Sequence, residues 1–328
     1  IPDRPLVDQL IFIIEPDPDL RQRNLIRGNN HLDLWPDRVS AQRMEDSGTV
    51  NVLRTDPARY VLRLVLNLSE PGSAGPSQPH PVLANPQVRQ AIYHAIDVPF
   101  LNSEAFGNWG RPVETELFQL DCDLPPFHDY NPGLAQALLD DAGWVIVNPD
   151  PDSDELPIRQ CQGCGTVEDG TPLVLQSYTY VEFGEDMEKA HDLVELLLAE
   201  AGIQLEHHVV EGGVLWDTWQ NEGIELRGNF DLNLWDNGYY GVDPTTYLTD
   251  LYDPRSIPTR DNPIAGLNVS RYRNPDLADI FDALHSPIPD NRRRALLCEV
   301  ALTLFQDKPI IPLLAFPDLY GVHIDVQG

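Results

Sequence analysis

The stretch "TPLVLQSYTYVEFGEDMEKAHDLVELLLAEAGIQLEHHVV", residues 171 to 210, decides the fold class. It opens on "TPLVLQSYTY", a β-branched and aromatic run that reads as a strand. "EDMEKAHDLVELLLAEAG" follows, with apolar residues at helical spacing and Gly202 as its stop. "IQLEHHVV" then returns to strand character. A strand, a long amphipathic helix closed by glycine, and a second strand predict an α/β unit.

The alternation continues outward in both directions. "NPQVRQAIYHAID" predicts a helix capped by Asn85, with Pro86 at its first position and Val88, Ile92, Ala95 and Ile96 on the inner stripe. "NPGLAQALLDDAGW" repeats that opening with Asn131 and Pro132, and Gly143 stops it. Further back, "YVLRLVLNLS" is an alternating strand, and "HLDLWP" and "TVNVLRTDP" are short extended runs. "DPDLRQRNLIRGN" is a short helix closed by Gly28, and "LVDQLIFII" reads as a strand. "EPGSAGPSQPHP", residues 70 to 81, is a linker or exposed crossing. Toward the C-terminus come the strand "FDLNLWD", helices in "NPDLADIFDALHS" and "PDNRRRALLCEVALTLFQDK", and the apolar run "PIIPLLAF". The class is α/β throughout.

Composition narrows the function. Hydrophobic residues make up 42% of the 328, enough for a core. Lys plus Arg is 22 and Asp plus Glu is 52, a formal charge of −30. Phosphate would be repelled, so no nucleic acid is expected as a partner, nor an anionic membrane surface. No run approaches the roughly 18 apolar residues of a spanning helix. The opening residues carry no signal-peptide pattern, and a strand already under way there suggests a piece of a longer protein.

Candidate chemistry is sparse. Cys161 and Cys164 form a C-x-x-C in a loop rich in glycine and aspartate. A loop disulfide ranks first, a zinc site second and redox catalysis last. Cys122 stands alone, and Cys298 falls on the apolar side of its helix as a buried thiol. Asp150, Asp152 and Asp154 alternate in "NPDPDSDE" at a spacing that suits Ca²⁺, but the EF-hand pattern fails and a solvated turn is favoured. His207 and His208 lie on a strand and face opposite sides, a poor metal geometry. The arginines at 292 to 294 form a solvated helix face. Trp216 and Trp219 fall three apart on an expected helix and read as core packing. No nucleophile elbow, phosphate loop or metalloprotease motif is present.

Six motifs in order resemble the family 5 extracellular solute-binding proteins, the oligopeptide- and dipeptide-binding receptors of ABC importers. They are "NPQVRQAIYHAID", "YNPGLAQALLDDAGW", "AHDLVELLLAEAGIQLE", "FDLNLW…DP", "YRNPDLADIFDAL" and "NRRRALLCEVALTLFQDKPIIPLL". The resemblance implies a type II periplasmic-binding-protein-like α/β fold, a mixed sheet flanked by helices. It implies a partial first lobe at 1–70, a second lobe at 71–316 and a return segment at 317–328. Asn67 to Pro71 and Phe316 to Tyr320 would form a hinge between lobes that close on a ligand. Full-length members carry a further N-terminal segment, so this chain alone is expected to bind ligand weakly or not at all. The resemblance further implies no enzyme activity and no cofactor. It implies a monomer, extracellular or periplasmic, anchored as a lipoprotein in its full-length form and partnered by ABC permease subunits.

The ligand stretch would be "FDLNLWDNGYYGVDP", residues 230 to 244. Pattern alone makes Trp235 the end of a core strand. The resemblance makes it a wall of the ligand cleft, and leaves Tyr239 and Tyr240 open between the two. Asp236, Asn237 and Asp243 complete the candidate set. Peptide-binding members carry an aspartate before the D/E–Pro pair that meets the ligand's α-ammonium. Here that position falls near Tyr240 or Gly238, and only Asp236 or Asp243 substitutes. Peptide capture therefore competes with capture of oligosaccharides or other uncharged polar ligands. A metal-dependent hydrolase using the aspartates or the C-x-x-C, and an adhesion or signalling protein, are the rivals from other classes.

Overall fold

The computed structural model describes residues 9–55, 60–72, 78–124, 129–147, 156–238 and 243–326. In chain order the first elements are α1 (Pro18–Ile26), β1 (Leu32–Leu34), α2 (Arg38–Asp46), β2 (Val50–Arg54) and β3 (Tyr60–Leu66). Then come α3 (Pro86–Ala95), α4 (Val98–Phe106), β4 (Arg111–Pro112), α5 (Pro132–Asp141), β5 (Trp144–Val145) and β6 (Gln160–Cys161). The middle holds β7 (Val174–Tyr180), α6 (Glu185–Glu200), β8 (Gln204–Val210), α7 (Gly212–Leu215), α8 (Ile224–Arg227) and β9 (Leu232–Gly238). The last are α9 (Thr245–Tyr252), α10 (Pro275–Leu284), α11 (Asp290–Asp307), β10 (Ile310–Phe316) and β11 (Leu319–His323).

The chain divides into two compact units. One is Ile1–Ala58 with Pro317–Gly328, the other Arg59–Phe316. In the first, β11 lies between β1 and β2, antiparallel to both. Its core is small: Leu25, Met44 and Val50 are buried, with Ile26 and Val52 against them.

The second unit is built on a six-stranded sheet in the order β4-β10-β3-β9-β7-β8. β7 is parallel to β8 and β9, and the remaining pairs are antiparallel, so the sheet is mixed. β3 is buried on both faces, unlike the one-sided alternation expected of it. Leu62, Leu64 and Leu66 enter one core with α3 to α6, and Val65 enters the other with α9 to α11. Each such leucine contributes roughly 1.5–3 kcal/mol by leaving water. The caps fall where the sequence puts them. Asn85 accepts from the Gln87 amide and Asn131 from the Leu134 amide, each with proline next. Gly143 and Gly202 close their helices at φ +81° and +86°.

The division between the compact units leaves β3 in the second. Asn67 is fully buried, and its Nδ2 donates to the carbonyls of Gly228 and Phe230. Three expectations change. The "LIFII" run, residues 10–14, is not a strand and its side chains are exposed. Strand propensity needs a partner ladder, and no described residue supplies one. Cys298 is not a free thiol but forms a disulfide with Cys122, their Cα atoms 5.3 Å apart across 176 residues of sequence. Cys161 and Cys164 form the second disulfide. Finally, α7 stops at Leu215, before the two tryptophans, and the Trp216 ring folds back onto Gly212, where it leaves no room for a Cβ. Trp219 is buried, but Trp216 is 40% exposed and is not core.

Candidate functional site

The parallel strands β7, β8 and β9 end at Tyr180, Val210 and Gly238. Gly238 pairs with Tyr60, and Tyr60 with Phe316. These residues mark one end of the second unit's sheet. Open α/β sheets bind ligands outside the carboxyl ends of their parallel strands, where the following loops are free of the ladder.

Rings gather at this end. Trp216 lies 4.7 Å from Tyr180 and 5.5 Å from Trp235, centroid to centroid, at tilted angles that suit ring quadrupoles. Phe183 sits 6.3 Å from both Phe106 and Phe316. Tyr180 is buried and Trp235 half-buried, so the exposed ring of the trio is Trp216.

A polar set backs the rings. Arg63 is fully buried and stands opposite Trp235 in the β3–β9 register, its guanidinium carbon 4.3 Å from that ring's centroid. Its Nη1 donates to Glu116 and, at 3.3 Å, to the Tyr247 hydroxyl. Tyr252 donates to the other Glu116 oxygen at 2.6 Å. Burial weakens the guanidinium's hold on its proton, but Glu116 more than offsets this and Arg63 stays charged. Arg63 Nε and Nη2 and Trp235 Nε1 are buried without a hydrogen-bond partner. Nearby Glu225 is pushed up to about 8 by burial, against the pull of Arg63, Arg271 and a hydrogen bond from Asn233.

The residues singled out in the sequence meet different fates. Trp235 joins the ring cluster. Asp236 accepts the Tyr180 hydroxyl, and burial pushes its carboxyl up while that hydrogen bond and Arg63 pull it back. Asn237 turns its Oδ1 to the Gly238 amide at 2.8 Å. Asp243 is a local cap: Oδ1 accepts from the Thr245 amide at 2.9 Å and hydroxyl at 2.5 Å, and Oδ2 meets Arg293 at 3.0 Å. Despite some desolvation, those bonds hold its carboxyl below the usual range. Tyr239 and Tyr240 lie outside the described residues, as do Asp150, Asp152 and Asp154. Sequence reasoning missed Arg63, Glu116, Tyr180, Glu225 and Tyr247. A charged residue inside the apolar run "YVLRLVLNL" is the one local signal that marks any of them.

Chemistry finds little purchase here. Ser177 Oγ and His191 Nε2 lie 2.6 Å apart, but both side chains are fully buried between sheet and helix and closed to a substrate. The C-x-x-C sulfurs are bonded to each other and offer no thiolate to zinc.

Known proteins resemble the chain along nearly its whole length. A family model described as "Bacterial extracellular solute-binding proteins, family 5 Middle" matches residues 1–258. "Probable di/tripeptide-binding protein 5" of Pseudomonas aeruginosa is 27% identical over 99% of this chain and 53% of its own length. "Di/tripeptide-binding protein 2" of the same organism is 25% identical over 94% and 50%. The chain thus spans about half the length of the curated relatives it matches. The oligopeptide-binding protein AppA of Bacillus subtilis, in complex with a nonapeptide, superposes with TM-score 0.72 at 17% identity, covering 96% of this chain and 56% of that one. NikZ of Campylobacter jejuni, in complex with Ni(L-His), gives 0.75 at 16% with the same coverage. These structures share the type II periplasmic-binding-protein-like architecture, a mixed sheet flanked by helices. With the family match running over most of its residues, this chain belongs to the bacterial extracellular solute-binding proteins of family 5.

Proposed function

We propose that the chain is the larger part of a non-catalytic receptor that captures peptides or similar polar ligands outside the cytoplasm and hands them to an ABC importer. The observation that carries the reading is the exposed Trp216, joined to Tyr180 and Trp235 beyond the ends of three parallel strands. Such a ring wall offers stacking and apolar area with polar groups behind it, the usual composition of a small-ligand site. Family membership and relatives named for di- and tripeptides support the ligand class. Arg59–Phe316 is taken as the second lobe and the other unit as part of the first. The receptor acts as a monomer, anchored as a lipoprotein, with permease subunits as its membrane partners.

An uncharged ligand such as an oligosaccharide is the second reading, on one observation. Asp236 is held by Tyr180 and Asp243 by Thr245 and Arg293, so neither candidate acid presents a free carboxylate to an α-ammonium. Calorimetry of the full-length receptor against di- and tripeptide pools and oligosaccharide pools separates the two. The Trp216→Ala variant weakens binding by about tenfold, from loss of one stacked ring worth roughly 1–1.5 kcal/mol. Unchanged affinity in that variant removes the ring wall from the site, and turnover of any ligand removes the receptor reading.

A further inference from the structure

The rim between α6 and β8 carries a side-chain group that ligand capture leaves unused. β8 is the edge strand of the six-stranded sheet, and α6 packs beside it. His208 turns to one face, where its ring stacks on Tyr178. His207 turns to the other, toward α6. Its Nδ1 lies 3.1 Å from Glu195 Oε2 and 3.4 Å from Asp192 Oδ1. Asp192 and Glu195 are three apart on the helix and so share a side. One ligand atom from each of the three residues falls within 4.8 Å of the other two, and no other such group occurs among the described residues.

A second observation lies behind the first. His191 is fully buried on the same helix, and its ring meets His207 edge to face with centroids 3.9 Å apart. Two nitrogens of this ring pair, His191 Nδ1 and His207 Nε2, are buried without a hydrogen-bond partner. A cation held at His207 Nδ1 fixes that ring's proton on Nε2. Ser177 Oγ lies 2.6 Å from His191 Nε2 and holds that ring in place behind His207. A metal-bound histidine is oriented by what packs behind it, here the His191 ring.

We propose that Asp192, Glu195 and His207 bind a first-row divalent cation of zinc's class. One imidazole nitrogen and two carboxylate oxygens suit such an ion, with the remaining positions left to water. Two carboxylates balance its charge, and the formal charge of −30 concentrates cations at the surface. Bound there, the ion ties the helix to the edge strand, the strand whose free ladder most needs restraint. The histidine pair itself is no chelate, as its strand spacing predicts. The missing ligands come from a different element.

The test is calorimetric titration of metal-free, untagged protein with zinc chloride near neutral pH. One saturable equivalent is expected, with a rise in Tm on loading. Nitrogen-detected NMR should place the metal on His207 Nδ1 and the proton on Nε2. His207→Gln removes the equivalent, and so do Glu195→Gln and Asp192→Asn. The last two change half-exposed or exposed groups and leave the fold intact by circular dichroism. His208→Gln leaves binding unchanged. Absence of a saturable equivalent, leaving a simple ion pair, overturns the proposal. An equivalent that survives in all three ligand variants does the same.

Discussion

Arg63 is the residue on which the second unit's interior electrostatics turn. It is wholly buried, paired with Glu116 and laid against Trp235. Removing one member of a buried pair strands the other, at about 3–5 kcal/mol. Arg63→Ala is therefore expected to lower unfolding free energy by that amount in urea titration. A loss under 1 kcal/mol would mean that the hydroxyls of Tyr247 and Tyr252 alone satisfy the Glu116 oxygens. Glu225 gives a pH signature. Its folded pKa is raised from 4.5 to about 8, so between those values the native state keeps a proton that the unfolded chain releases. Its contribution is fully present below 4.5 and is lost as pH rises through about 8. Glu225→Gln cannot titrate. The stability of that variant relative to the parent should climb from pH 5 to 8. A constant difference across that window would show that Glu225 is ionised throughout.

At the scale of elements, the two disulfides differ in what they tie. Cys122–Cys298 joins the start of a loop to α11 across 176 residues, whereas Cys161–Cys164 closes a turn of three. Loop-closure entropy makes the long bridge worth about 5 kcal/mol and the short one about 2. Replacing Cys122 and Cys298 by serine should therefore cost more than replacing Cys161 and Cys164, as read by denaturant unfolding. Equal costs would mean that the unfolded chain is not an open coil in the long loop. The short turn also rests on Gly143. A side chain there would strike the Cys164 backbone at 2.7 Å, so this glycine closes α5 and admits the C-x-x-C loop at once. Residues 10–14 show the opposite condition, five large apolar side chains with no described element to hold them.

For the molecule as a whole, stability is divided unevenly. Among the described residues, the unit Ile1–Ala58 with Pro317–Gly328 has one small core around Leu25, Met44 and Val50, while Arg59–Phe316 has two extensive cores on opposite faces of its sheet. Local opening follows buried apolar contact. In hydrogen exchange of this chain, amides of β2 and β11 should exchange well before those of β3 and β9. Matching protection in the two sets would show that they unfold as one. The sequence by itself determined the elements and the class. Asn85–Pro86, Asn131–Pro132, Gly143 and Gly202 set helix ends, and side-chain period set faces, because caps and periodicity act over a few residues. It also carried the family, through the order of six motifs. Only the tertiary structure decided which distant groups meet: Arg63 with Glu116, Cys122 with Cys298, Tyr180 with Asp236, His207 with Asp192 and Glu195. It also decided that Trp216 is exposed and that residues 10–14 form no strand. Those outcomes depend on strand order, register and the presence of a pairing partner, and no local pattern encodes a partner dozens of residues away.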